Sequence, residues 1–300
     1  MKVAVLGVGL IGGSIGLAAR ARAGAQVAGW DPDPDACARA LELGAIDARS
    51  PDIAGAVAAA DIVFVAAPVG VLVATAGTAL DHGGPETLVT DVGSTKRLVC
   101  EEISDPRFIG GHPLAGSEAS GVGHAREGLF EGAVWYLTPG AERQSPATAP
   151  PGYDRLAALI ERFGAQPVPI DADLHDRVMA TVSHLPHVLA NLLVAQALAS
   201  LETAAAVVAG PHEADSSTQR TSPLGTGPSF RDATRVAGSN SAIWTDIYMS
   251  NRDALVAAID ELTGRLADVR AALGDGDAER LTAWNEQARA ERAALLGSGS

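Results

Sequence analysis

Cysteine is nearly absent from this chain of 300 residues, which carries only Cys37 and Cys100. Without a Cys-x-x-Cys, neither a disulfide framework nor a thiolate zinc site is supported. Positive charge is scarce too: Lys+Arg number 22 against 36 Asp+Glu, giving a net charge of −14 and a pI near 4.8. Such an acidic surface argues against nucleic acid and anionic membranes as partners. A small acidic ligand would need a locally basic pocket. The N-terminus has no charged region leading into a small-residue cleavage site, so no signal peptide is expected. The longest apolar stretch, near 185–209, is interrupted by His187, Asn191, Gln196 and Glu202 and reads as a poor membrane span. These absences predict a soluble, cytoplasmic protein. What is plentiful is apolar residue: 47% hydrophobic and a mean hydropathy of +0.15, enough to build a sizeable core and exclude global disorder.

The length allows one large domain or two ordinary ones. Short β-type runs at Val3–Leu6, Gln26–Trp30, Ile62–Ala66, Thr87–Thr90 and Phe108–Ile109 alternate with helical stretches such as Leu10–Arg22 and Asp33–Leu43. This is the signature of βαβ units and a parallel sheet. Two more strands, Ala133–Thr138 and Gln166–Ile170, flank a helix near Tyr153–Phe163, and the proline-rich stretch 139–152 reads as a surface loop. Beyond Ile170 the pattern is helical, with segments at about Leu185–Ala209, Ala233–Met249, Asp253–Leu273 and Ala278–Leu296. The polar stretch Gly210–Pro228 reads as a loop, and the final Gly-Ser-Gly-Ser as a flexible or appended tail. The division expected is an α/β Rossmann-type domain over 1–170, then an all-α domain over 171–300.

Gly7-Val8-Gly9-Leu10-Ile11-Gly12 follows the first strand and opens the first helix. In that setting the G-x-G-x-x-G pattern is a dinucleotide fingerprint. Gly7 makes the tight turn, and Gly9 lets backbone approach a pyrophosphate. Gly12 permits close packing, and Leu10 and Ile11 begin the helix whose N–H groups face the phosphates. Asp31 ends the second strand, placed to bind ribose hydroxyls. Acidic Asp33 and Asp35 follow with no neighbouring Arg or Lys, so NAD is expected over NADP.

Three further clusters carry candidate chemistry. Asp91–Lys96 follows a strand, where Ser94 could contact a ligand, cap the next helix, or both. Gly111-His112-Pro113-Leu114-Ala115-Gly116-Ser117-Glu118 follows the next strand and aims His112 at the carboxyl edge of the sheet. Ser183-His184-Leu185-Pro186-His187 opens the apolar helix. Its two histidines lack a third partner nearby, so no metal is expected; His184 reads as pocket lining and His187 as a buried, hydrogen-bonded residue. In Phe230–Ala237, Arg235 can clamp a carboxylate, or both arginines there can pair with Asp232 and Asp246.

These pieces, with Gly13-Ser14 and Trp244, resemble the prephenate/arogenate dehydrogenase family of tyrosine biosynthesis over about residues 3–290. The resemblance implies oxidative decarboxylation of a cyclohexadienyl substrate with a nicotinamide cofactor. It implies that His112 accepts the hydrogen bond of the ring hydroxyl, assisted by Ser94. Arg235 would hold a substrate carboxylate with His184 nearby, and Glu118 would shape or gate the pocket. It also implies a dimer, and no regulatory or mutase-like domain is expected. The stretch 211–226 looks long for the family.

The chemistry agrees with that implication. Hydride leaves the ring carbon bearing the hydroxyl, the hydroxyl proton must go to a base, and loss of CO2 makes the ring aromatic without a metal. A 3-hydroxyacid dehydrogenase of the 6-phosphogluconate dehydrogenase type is the rival, disfavoured because residues 172–200 hold no lysine. A non-enzymatic NAD sensor is a second. Finally, the helix at 185–209 is apolar nearly all round, which predicts a homodimer in which a second copy covers it.

Overall fold

The computed structural model describes residues 1–116, 119–139, 150, 152–209 and 225–296, with backbone alone for 205–209. The expected loops at 139–152 and 210–228, the tail at 297–300 and Glu118 therefore lie wholly or largely outside the described residues. Strands β1 (Lys2–Leu6), β2 (Gln26–Trp30), β3 (Ala48–Arg49), β4 (Ile62–Val65), β5 (Leu88–Asp91), β6 (Phe108–Pro113), β7 (Val134–Thr138) and β8 (Gln166–Pro169) form one sheet. Their order is β3-β2-β1-β4-β5-β6-β7-β8. Helices α1 (Leu10–Ala23), α2 (Pro34–Glu42), α3 (Ile53–Val57), α4 (Val69–His82), α5 (Arg97–Glu102) and α6 (Tyr153–Arg162) connect them.

The sheet is parallel from β3 through β6, but β7 runs antiparallel to β6. Among the described residues the β6–β7 connection carries only the short 3₁₀ turn Val122–His124. A parallel crossover needs a helix's worth of chain packed across the sheet, so this strand returns the other way. β8 then pairs parallel to β7 across α6. Buried side chains cover both faces. On one, Phe64, Phe130, Trp135 and Phe163 form an aromatic cluster with ring centroids 5.0–6.3 Å apart. On the other, Leu6, Val65, Leu72 and Val99 pack together.

After β8 the chain is helical: α7 (Ala172–Met179), a π-helical turn at Ala180–His184, α8 (Leu185–Ala209), α9 (Pro228–Thr234) and α10 (Ser241–Ser250). The single helix expected over Ala233–Met249 is broken. A 3₁₀ turn occupies Arg235–Gly238, and Asn240 caps α10 by accepting from the N–H groups of Ala242 (3.0 Å) and Ile243 (3.2 Å). Met1–Arg252 forms one packed unit and Asp253–Ser300 another. The second holds α11 (Arg252–Gly274) and α12 (Ala278–Leu296), joined by a turn with Gly276 at φ +65°.

By length and composition the run Ala172–Ala204 is apolar enough to cross a membrane, contrary to the sequence expectation. Its first part is instead tied inward through buried His175, Asp176 and His184. Further along, Leu192 (60%), Leu193 (44%), Val194 (41%) and Leu198 (57%) are exposed in the single chain.

Candidate active site

The glycine-rich loop joins β1 to α1 where β1 and β4 part. Gly7 has φ +96°, and a Cβ there would lie 2.4 Å from the Ala66 carbonyl oxygen, so only glycine fits. At Gly12 a Cβ would meet the Gly7 oxygen, whereas at Gly9 it would meet nothing within 4 Å. Gly9 is the N-cap residue of α1 and supplies no side-chain cap, which leaves the first-turn N–H groups of Leu10 and Ile11 to an outside acceptor. Open space and uncapped donors at one spot fit a dinucleotide pyrophosphate.

Asp31 braces this loop: its carboxylate accepts from the Val8 N–H at 2.9 Å and the Asp33 N–H at 2.9 Å. It lines a cavity of about 470 Å³ with Trp30, Pro34, Cys37, Arg49 and Ser50. Arg49 comes from β3, a two-residue strand that sequence patterning misses. The expected absence of a basic neighbour thus holds along the chain but not in space. Asp33 caps α2 through the Asp35 N–H at 3.0 Å.

A second group gathers at the other side of the sheet's carboxyl edge. His112 lies within β6, paired with Tyr136, rather than beyond the strand as expected. The strand expected to end at Ile109 continues through Gly110-Gly111 to Pro113. A Cβ on Gly111 would lie 2.6 Å from the Asp91 carbonyl oxygen, so the residue permits this close approach. Asp91 closes β5 and accepts from Gly111 N–H (3.0 Å) and Gly93 N–H (2.7 Å). Its remaining charge is met by Lys96 in an ion pair with both side chains fully buried.

His112 Nδ1 lies 2.9 Å from His175 Nε2, and His175 Nδ1 lies 2.7 Å from Asp176 Oδ1. The same carboxylate accepts from the backbone N–H groups of Lys96 (2.7 Å) and Arg97 (3.0 Å). Asp176, and not Ser94, therefore caps α5. Lys96 is the N-cap residue of that helix and offers no side-chain cap. Ser94 stands half-buried in the turn before it. Burial holds His112 well below its ordinary pKa, reinforced by the unfavourable pairing of a second imidazolium with His175, by the Lys96 charge and by His184. His175 is also lowered, chiefly by burial, with Asp176 opposing.

His184 is fully buried in the π-helical turn. Asn251 donates from Nδ2 to the Asp176 carbonyl (2.7 Å) and to His184 Nδ1 (3.1 Å). That leaves Nε2 as the ring's N–H, and it is buried without a partner among the described residues. Burial pushes the His184 pKa down to about 4. His187 stacks on Trp244 with centroids 3.6 Å apart and bonds Tyr248 through Nδ1, so the expected hydrogen-bonded role stands beside a second orphaned Nε2. Arg235 is exposed on the 3₁₀ turn packed against α8. Asp246 accepts from the Gly70 N–H at 3.3 Å.

Known proteins match along most of this architecture. The model of the prephenate dehydrogenase nucleotide-binding domain matches residues 15–165, and that of the prephenate dehydrogenase dimerization domain matches 171–287. The chain belongs to the prephenate dehydrogenase family. Within the family it is similar to prephenate dehydrogenase of Bacillus subtilis, at 34% identity over 98% of this chain and 76% of that one. Cyclohexadienyl dehydrogenase of Zymomonas mobilis is 32% identical over 98% and 95%. The crystal structure of prephenate dehydrogenase from A. aeolicus, in complex with hydroxyphenyl propionate and NAD+, superposes with a TM-score of 0.81. It is 27% identical and covers 98% of each chain.

In this prephenate dehydrogenase family member, the structure brings His112 and His184 into one buried group, with Asp176 and Asn251 between them. Gly7, Gly9, Leu10, Ile11, Gly12 and Asp31 form the separate loop end. Sequence reasoning missed His175, Asp176, Asn251 and the Lys96 ion pair. One signal was present: Lys96 is one of only two lysines in the chain, inside a motif already singled out.

Proposed function

We propose that this chain catalyses the NAD-dependent oxidative decarboxylation of prephenate or arogenate, with His112 as the base. Bound NAD supplies the hydride acceptor. The observation that carries the reading is a buried, neutral imidazole at the carboxyl edge of a sheet whose switch point holds a dinucleotide loop. His112 takes the proton of the ring hydroxyl as the carbonyl forms, and Ser94 assists at the same hydroxyl. The His184 Nε2–H gains an acceptor from the substrate, which removes a buried unmet donor. Arg235 binds a substrate carboxylate, and Glu118 shapes the pocket. Gly7–Gly12 seat the pyrophosphate and Asp31 the ribose. The functional division is placed near residue 171, supported by the last strand ending at Pro169.

The test is near-ultraviolet absorbance of NADH with each substrate in turn. Reduction of NAD with one or both is expected, and none with either overturns the reading. A cytoplasmic homodimer is part of the proposal, with a second copy over the exposed leucines of α8, consistent with the dimerization-domain match. A mass near the 30.5 kDa of one chain in light scattering would overturn the dimer. Leu193→Glu should lower both assembly and thermal stability.

A further inference from the structure

The row of Asp176, His175 and His112 leaves little freedom for its protons. Both oxygens of Asp176 accept backbone N–H groups, which favours the ionised carboxylate. An ionised carboxylate only accepts, so His175 Nδ1 must carry the hydrogen shared at 2.7 Å. In a neutral ring, Nε2 of His175 then holds the lone pair. His112 Nδ1, 2.9 Å away, must be the donor to it. The lone pair of His112 therefore sits on Nε2, the nitrogen not committed to His175.

We infer that His175, held by Asp176, is a positioning residue that locks His112 into the tautomer with its lone pair on Nε2, ready for the substrate hydroxyl. This rests on the reading of His112 as the base. When the hydroxyl O–H bond breaks and an Nε2–H bond forms, the Nδ1 proton stays on His112. The new charge is then stabilised by the His175 lone pair and, one ring further, by Asp176. Asp176 remains ionised throughout, and the captured proton later leaves from Nε2 to water.

Capping α5 accounts for Asp176 but not for His175. A helix cap needs only the carboxylate, and a neutral imidazole fully buried between that acid and a second histidine adds desolvation cost without completing the cap. The groups facing the two rings are accounted for. Tyr136 of β7 meets His175 edge-on at 5.6 Å. The Lys96 charge disfavours protonation of either ring, Asp91 and Asp176 favour it at His175, and a protonated His175 or His184 would oppose it at His112, so only one of these rings charges at a time. Each member thus keeps the resting pair neutral or steadies the charge that forms on reaction.

The tautomer can be read directly, apart from turnover. Side-chain ¹⁵N NMR of the intact protein, which has seven histidines, should show His112 protonated at Nδ1 with a bare Nε2. In His175→Phe that preference should vanish. kcat should fall by up to about 10⁴-fold, the loss seen when a catalytic imidazole is left in the wrong tautomer, while KM changes far less. His175→Gln, whose amide oxygen can accept from Nδ1, should recover part of the loss. A wild-type His112 protonated at Nε2 overturns the inference without need of any variant. So does a folded His175→Phe that turns over normally. Normal turnover by His112→Asn would instead overturn the assignment of the base, whatever tautomer the wild type shows.

Discussion

The loop end and the histidine end of the sheet are built from different materials. At the loop, backbone does the work: a left-handed Gly7, uncapped N–H groups at the start of α1, and one carboxylate, Asp31, bonded to Val8 23 residues away. At the histidine end, side chains do it, drawn from β5, β6, α7 and the residue after α10. The bonds Asp176–Lys96, His112–His175 and Asn251–Asp176 span 80, 63 and 75 residues. A backbone site binds by shape and dipole and excludes side chains where the chain passes closely, as at Gly7 and Gly12. A buried side-chain network fails when one member is lost, because the remaining partners are left unpaired.

Substitutions can break or sharpen that contrast. The largest effect is expected at His112. His112→Asn should lower kcat by roughly 10²–10⁴-fold with NAD affinity unchanged, and near-normal turnover would remove it as the base. Next comes Lys96→Met, which strands the buried Asp91 charge. Losing one partner of a buried ion pair costs about 3–5 kcal/mol, read as a drop in denaturant midpoint, and an unchanged midpoint would show that Asp91 is satisfied by Gly93 and Gly111 alone. Arg235→Gln should raise substrate KM about tenfold, as expected for one charged hydrogen bond. Equal losses for NAD would point to misfolding instead. At the loop end the change is smaller: Asp31→Ser should weaken NAD and relatively improve NADP, helped by Arg49 in the same cavity. A wild type that already prefers NADP would reverse the assignment.

Acid tests the histidine end most gently. Burial lowers the pKa of His112, so its neutral form persists below the ordinary value of about 6.5. The acid limb of kcat/KM should therefore lie below that value, and a limb at or above it would contradict the buried base. The same depression acts on stability with a definite sign. Below about 6.5 the unfolded chain binds protons that folded His112, His175 and His184 refuse, so stability falls with pH towards the value of about 4 held by His184.

The same contrast explains what could be read in the sequence. β1, β2, α1 and the fingerprint lie within one short stretch, where periodicity and glycine spacing are local signals. The β2 limits and the bounds of α12 agree with expectation to the residue. His112 and His184 were legible as candidates because each sits in a motif. His175 was not: it follows Leu174 on an ordinary amphipathic helix, and nothing nearby reveals that a strand residue 63 positions earlier will meet it. The antiparallel return of β7 and the break at Gly238–Asn240 escaped for a related reason. Each depends on what the chain packs against or on one local cap, not on periodicity.

Asp176 also offers a spectator's view of the array. Its carboxylate is the acceptor for the main-chain N–H groups of Lys96 and Arg97, the same acid that holds His175. Hydrogen–deuterium exchange at those two amides should therefore be slow as long as the Asp176 carboxylate is in place. Their protection factors would report, with no substrate or cofactor added, whether α7 holds Asp176 against the start of α5, the anchor on which His175 depends.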